Sequence, residues 1–190
     1  MQKTAILILA AGSSTRMNAT KQLLPYKNTT LLGFAIETAK KTTTNQVFCV
    51  LGSNAEIIEE SVKKHQVETI FNPNFKAGLS SSIVAGINHI TPMNFDAVLI
   101  ILADQPKITS AYLNELLKTS VENPTKIIAS NYGENNGVPV IFPKNYFKEL
   151  LLLKGDKGAK NLLKKMHSNL ISIKSTNLID IDTEEEYKNL

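Results

Sequence analysis

Thr4–Ala10 (TAILILA) is apolar at every position after its first, with no solvent-facing alternation, so it predicts a strand covered on both faces. It stops at the turn residues Gly12-Ser13-Ser14. Thr30–Lys41 sets Leu31, Leu32, Ala35, Ile36 and Ala39 on one stripe and predicts a helix. A strand at Gln46–Leu51 follows, then a helix over Ala55–His65 with Ile58 and Val62 on one face, and a short strand at Glu68–Phe71 ended by Asn72-Pro73. A helix from about Leu79 to Ile90 leads to a second fully apolar strand, Ala97–Ala103, which ends at Asp104-Gln105-Pro106. Strands and helices alternate, as they do where helices pack on a parallel sheet.

Thr109–Val121 repeats the helical stripe at Leu113, Leu116 and Leu117, with Thr109 or Ser110 as cap, and Lys126–Ser130 predicts another strand. The rhythm then loosens. Asn131–Gly137 is polar and turn-rich, Val138–Pro143 reads as a proline-bounded strand, and Asn145–Leu153 and Lys157–Met166 read as helices. Short strands are expected near Leu170–Lys174 and Leu178–Ile181. A terminal helix should follow, capped by Asp182 or Thr183, with Glu184, Glu185 and Glu186 in its first turn. The expectation is one α/β domain over residues 1–190: three layers, a mostly parallel sheet with helices on both faces, and a last third that decorates the sheet.

The chain has 190 residues, 43% hydrophobic and 20% charged, an ordinary globular balance. Its longest apolar runs, Ala5–Ala11 and Ala97–Ala103, span seven residues each, against roughly 20 for a membrane-crossing helix. The start of the chain has no signal-peptide pattern, so a cytoplasmic location is expected and no membrane partner. A net charge of +4, with acids and bases interspersed, gives no nucleic-acid arm, though it suits an anionic small ligand. The single cysteine, Cys49, excludes an internal disulfide and reads as a buried small hydrophobe. His65, His89 and His167 fall on or at the ends of helical segments and read as surface residues.

Chemistry concentrates after the first strand. A small-residue loop between a strand and a helix points backbone N–H groups at phosphates. Residues 11–21, Ala-Gly-Ser-Ser-Thr-Arg-Met-Asn-Ala-Thr-Lys, fit neither a dinucleotide fingerprint, which would need glycine at Ser14 and Met17, nor a Walker A loop, which would need Gly at Met17 followed by Lys. What remains is backbone donors, the fork-shaped guanidinium of Arg16 and the ammonium of Lys21, a set suited to a polyphosphate. Asp104, at the carboxyl end of a central strand, would lie in the crevice where open α/β sheets bind ligands.

Leu9-Ala10-Ala11-Gly12-x-Ser14-x-Arg16-Met17 with Lys21-x-Leu23-Leu24-Pro25 resembles the signature of nucleotidyltransferases with a Rossmann-like fold, and most nearly the molybdenum-cofactor cytidylyltransferases. Asn18 departs from the family's usual glycine. Gly78-Leu79-Ser80-Ser81-Ser82-Ile83, Asp104-Gln105-Pro106, Gly137-Val138-Pro139, Gly155-Asp156-Lys157-Gly158-Ala159-Lys160 and Ile181-Asp182-Thr183 extend the resemblance from Ala5 to Thr183. Val138 stands where the family commonly has a polar residue.

The resemblance implies an enzyme that moves CMP from CTP to the terminal phosphate of a molybdopterin-type cofactor, with magnesium. Arg16, Lys21 and Asp104 would be catalytic. Leu9, Ala10, Ala11, Gly12, Ser14, Gly78, Ser81 and Ser82 would bind the nucleotide, and Gly137, Pro139, Asp156 and Gly158 the acceptor. Asp104 and Asp182 would hold the metal, with Asp156 competing with Asp182. Residues 1–125 would form the nucleotide part and 126–190 the acceptor part, and a downstream molybdoenzyme or its chaperone would receive the product. GTP as donor, another phosphorylated acceptor such as a sugar phosphate, and a non-catalytic cofactor-delivery module are the alternatives.

Overall fold

Thr4–Ala10 forms β1, buried at every position because strands flank it on both edges and helices cover both faces. A computed structural model describes residues 2–14, 17, 19–44, 46–175 and 178–190. After β1 come a small hairpin, β2 (Pro25–Tyr26) and β3 (Thr29–Thr30), then α1 (Leu31–Lys40), β4 (Val47–Leu51), α2 (Ala55–Val62) and β5 (Glu68–Phe71). The chain continues through α3 (Leu79–Ile90), β6 (Ala97–Leu102), α4 (Ser110–Glu122), β7 (Ile127–Asn131) and β8 (Asn136–Pro143). It ends with α5 (Phe147–Leu151), α6 (Lys160–Lys165), β9 (Leu170–Lys174) and α7 (Glu184–Lys188).

Seven strands make one sheet in the order β5-β4-β1-β6-β8-β7-β9. All neighbours are parallel except β8, which runs antiparallel to both β6 and β7. The expected three-layer α/β fold is present. Successive strand side chains point to opposite faces, and β1 divides accordingly. Ala5, Leu7 and Leu9 pack with Ile83 and Ile87 of α3 and with Phe147 and Leu162 of α5 and α6. Ile6, Ile8 and Ala10 pack with Leu32, Ile36, Ile58 and Leu113 of α1, α2 and α4. Each fully buried aliphatic side chain contributes roughly 1.5–3 kcal/mol. Helix α3 lies so close to β1 that a Cβ on Gly86 would come within 2.6 Å of Leu7 Cδ1.

Caps fix where helices begin. Thr30 accepts from Gly33 N–H at the start of α1, and Thr109 from Tyr112 N–H at the start of α4. Thr183, not Asp182, caps α7: its hydroxyl accepts from Glu186 N–H, while the Glu186 carboxylate accepts from Thr183 N–H.

Several expectations need correction. Leu178–Ile181 is not a strand; it finds no ladder, and Ile181 N–H bonds to the carbonyl of Asp104 instead. The helix expected over Asn145–Leu153 is present as a 3-10 turn, Lys144–Tyr146, that runs directly into α5, whereas the one expected over Lys157–Met166 shortens to the six residues of α6, because Lys157-Gly158 forms a turn with Gly158 at positive φ. His65 is not a surface residue. Its side chain is 9% exposed beneath α1, where burial lowers the imidazole pKa, with Glu37 opposing and Lys64 and Lys40 assisting. Cys49, as expected, is fully buried, and that burial pushes its thiol pKa up.

Strands β1 and β6 are neighbours, and the chain leaves β1 towards β4 on one side but leaves β6 towards β7 and β8 on the other, so the two connections run in opposite directions. Such a switch point opens a crevice beyond the carboxyl ends of the strands.

Candidate active site

A crevice of about 1220 Å³ lies beyond Ala10 and Leu102, walled by the loop from Ala11 to Ser14, by Phe75 to Leu79, by Gly155 and Asp156, and by Asp104, Asp180 and Asp182. Of the residues singled out from sequence, Leu9, Ala10, Ala11, Gly12, Ser14, Lys21, Gly78, Ser82, Asp104, Asp156 and Asp182 line it. Arg16 and Asn18 lie outside the described residues.

The carbonyl oxygens of the loop after β1 face the protein. Ala11 O accepts from Ser53 N–H at 3.2 Å, and Ala10 O and Gly12 O both accept from Gln22 Nε2 at 2.9 Å. Among the described residues, the N–H groups of Gly12 and Ser13 have no acceptor. Donors of this kind are what an anionic ligand needs. Ser14 adopts φ 51°, and its hydroxyl accepts from Lys21 N–H.

Two distant chain segments converge on Lys21. Its Nζ lies 2.6 Å from Asp104 Oδ2, 2.6 Å from the carbonyl of Ile181 and 3.1 Å from Asp182 Oδ1. Burial lowers the ammonium pKa, but Asp104 and then Asp182 raise it further, so the net shift is upward and Lys21 stays charged. The other Asp104 oxygen, Oδ1, is buried and has no partner among the described residues. An orphaned carboxylate oxygen beside a second carboxylate and a carbonyl forms an all-oxygen donor set, which fits a hard divalent cation. Asp156 is placed elsewhere: its Oδ1 accepts from Leu79 N–H at the start of α3.

Helix α3 starts at Gly78, whose φ of 98° is open to glycine. The helix borrows its caps from the adjoining 155–156 turn, since Ser80 N–H donates to Gly155 O and Leu79 N–H to Asp156. Ser82 lines the crevice, whereas the Ser81 hydroxyl turns to Gly78 O. Gly137, Pro139 and Gly158 do not line it. Gly137 leaves room for the Tyr132 ring, Pro139 O accepts from Ser130 Oγ, and Gly158 sits beneath Leu79.

Sequence reasoning passed over four residues. Asn72, read only as a turn residue, is 1% exposed and donates to both Ser81 and Ser82. Gln105 donates to Tyr132 Oη and to Asp180 Oδ1, each at 2.7 Å, while Tyr132 donates to Val138 O. Burial raises the Asp180 pKa; the Gln105 hydrogen bond opposes this, and the nearby Asp104 and Asp182 add to it. The alternation Ile179-Asp180-Ile181-Asp182, which sets Asp180 on the same side as Asp182, was the signal available for Asp180.

Residues 6–170 match the model of the MobA-like NTP transferase domain. The chain is 28% identical over 192 residues to the purine catabolism protein PucB of Bacillus subtilis, covering 95% of this chain and 92% of that one. It is 30% identical over 127 residues to the nicotine blue oxidoreductase of Paenarthrobacter nicotinovorans, covering 66% and 60%. The crystal structure of an Rv0371c homologue from Mycobacterium sp. strain JC1 superposes with a TM-score of 0.85 at 28% identity, covering 98% of this chain and 93% of that one. A manganese complex of Rv0371c from Mycobacterium tuberculosis gives 0.79 at 26% identity, covering 100% and 98%. With that domain matched over most of its length, the chain belongs to the MobA-like NTP transferase family and is a nucleotidyltransferase.

Proposed function

We propose that this nucleotidyltransferase moves CMP from CTP to the terminal phosphate of a molybdopterin-type cofactor and releases pyrophosphate. The observation that carries the reading is the meeting of Lys21, Asp104 and Asp182 opposite the outward N–H groups of the loop after β1. The reaction brings an anionic phosphate against a triphosphate, so positioning and charge neutralisation do most of the catalysis. An acceptor that is already an ionised phosphate needs no general base.

Asp104 and Asp182 would hold the divalent cation, magnesium by the family resemblance. Bound there, it would neutralise phosphate charge and polarise the phosphorus under attack. Gly12 and Ser13 N–H, Lys21 and, from the sequence, Arg16 would grip the triphosphate, with Arg16 bearing on the charge that builds as pyrophosphate leaves. Gly78 and Ser82 would face the nucleoside. Residues 126–190, whose Gly155-Asp156 turn lines the crevice beside Gly78, would seat the acceptor.

Ala11 favours CTP. The resemblance pairs Leu-Ala-Ala-Gly with cytidine and Leu-Ala-Gly-Gly with guanosine, and an added methyl in a base pocket discriminates by about 1–3 kcal/mol. The names of the relatives accord with a place beside catabolic redox enzymes, where a downstream molybdoenzyme or its chaperone would take the product in the cytoplasm.

The decisive experiment incubates the protein with each of four labelled triphosphates and a pterin acceptor, and measures pyrophosphate release. CTP-dependent release that requires the pterin supports the reading. Release with GTP or with a sugar phosphate would replace it by another transferase activity, and no release with any donor would leave a cofactor-delivery module.

A further inference from the structure

Gln22 belongs to the short helical turn Lys21–Leu23, next to a proposed catalytic residue, and sits in the crevice wall with only 4% of its surface exposed. Its carboxamide has three partners. Nε2 donates to Ala10 O and Gly12 O, each at 2.9 Å, and Oε1 accepts from Ser14 Oγ at 3.4 Å. Two carbonyl acceptors fix which end of the amide is nitrogen, because an oxygen there would face two oxygens.

We propose that Gln22 is the positioning residue of the triphosphate loop: it draws the carbonyls of Ala10 and Gly12 inward and thereby turns the following N–H groups towards the ligand. In a trans peptide the C=O and N–H vectors are opposed. Drawing in Gly12 O therefore sends Ser13 N–H outward, and Ser53 acts in the same way on Ala11 O and Gly12 N–H. The loop has only one glycine between Ala10 and Ser14, so its shape is set largely by what its carbonyls bond to rather than by backbone freedom. Ser14 closes the circuit, since its hydroxyl donates to Gln22 and accepts from Lys21 N–H. One buried amide thus sets both the loop donors and the base of Lys21. A buried side-chain amide satisfied on both ends fixes its neighbours firmly.

This inference rests on the reading of the loop as a triphosphate site, and the two can fail separately. Wild type, Gln22→Met and Gln22→Glu are titrated calorimetrically with inorganic pyrophosphate plus magnesium and, separately, with CMP. Methionine keeps the length without donors; glutamate keeps the shape but sets oxygen against both carbonyls. Pyrophosphate affinity should fall at least tenfold in both variants while CMP affinity stays within twofold, a split that general loosening of the fold would not give. Variants that bind pyrophosphate as wild type does, or that lose both ligands alike, overturn the inference, and a wild type that binds CMP but no pyrophosphate overturns the loop reading itself. Should neither variant fold, nuclear magnetic resonance of the wild type decides. The Gln22 carboxamide protons should exchange slowly before ligand is added, and the Ser13 amide should shift when pyrophosphate binds. Fast exchange like that of an exposed glutamine would refute the role.

Discussion

Lys21 Nζ and Asp104 Oδ2 are 2.6 Å apart although 83 positions separate them in the chain, and Asp182 closes on the same ammonium from the far end of the fold. The lysine neutralises carboxylates that would otherwise repel one another. In the proposed reading its long stem would let it turn to phosphate once a divalent ion bound the carboxylates.

Asp104→Asn keeps the size and most of the hydrogen bonding but removes the charge, so the melting temperature should shift little. Turnover should drop a hundredfold or more, and magnesium should no longer tighten nucleotide binding in calorimetry. An active, magnesium-dependent variant would make Asp104 a turn residue only.

Lys21→Met should leave Asp104 and Asp182 without their shared counter-charge. The variant should melt at a lower temperature than wild type, and added magnesium or manganese should raise its melting temperature by more than it raises that of wild type. Equal metal-induced shifts in the two proteins would show that the carboxylates do not form a cation site.

From the sequence, Arg16→Ala should lower turnover at least tenfold with stability nearly unchanged, because its interaction strengthens as charge moves to the departing pyrophosphate. Steady-state kinetics checks this, and normal turnover would remove Arg16 from the site.

Gly78→Ala puts a Cβ 2.7 Å from Gly155 O at a φ of 98°. Backbone on one side and a left-handed angle on the other leave no way to relax cheaply. Destabilisation of about 2–4 kcal/mol is expected, measured by urea unfolding, together with weaker nucleotide binding. A shift under 0.5 kcal/mol would mean that the 155–158 turn is not held against α3.

His65 gives a pH dependence with a definite sign. Its folded pKa lies below the unfolded value of about 6.5, so in acid the unfolded chain takes up a proton that the folded chain refuses. The stabilisation is complete above pH 6.5 and is lost as pH falls below it. Between pH 7.5 and 5.5 wild type should lose more thermal stability than His65→Gln; parallel losses would place the proton uptake elsewhere.

The layers and the poles of the site are legible along the chain. Seven-residue apolar runs at Ala5–Ala11 and Ala97–Ala103 can be satisfied only in the middle of a covered sheet, so the loop and the carboxylate that follow them had to lie at its carboxyl edge. Tertiary structure decided what turns on long-range pairing. Ile179-Asp180-Ile181-Asp182 alternates like a strand, but every central ladder is already filled, and it passes beside Lys21 outside the sheet and brings Asp182 to the site. Thr183 could take the helix cap and leave Asp182 to the crevice only because Glu186 completed the capping box. Asn72, Gln22 and Gln105 look like ordinary polar residues along the chain. Their importance arises on burial, when an amide removed from water must find partners, and in this fold the partners near at hand are the loops and side chains around the crevice.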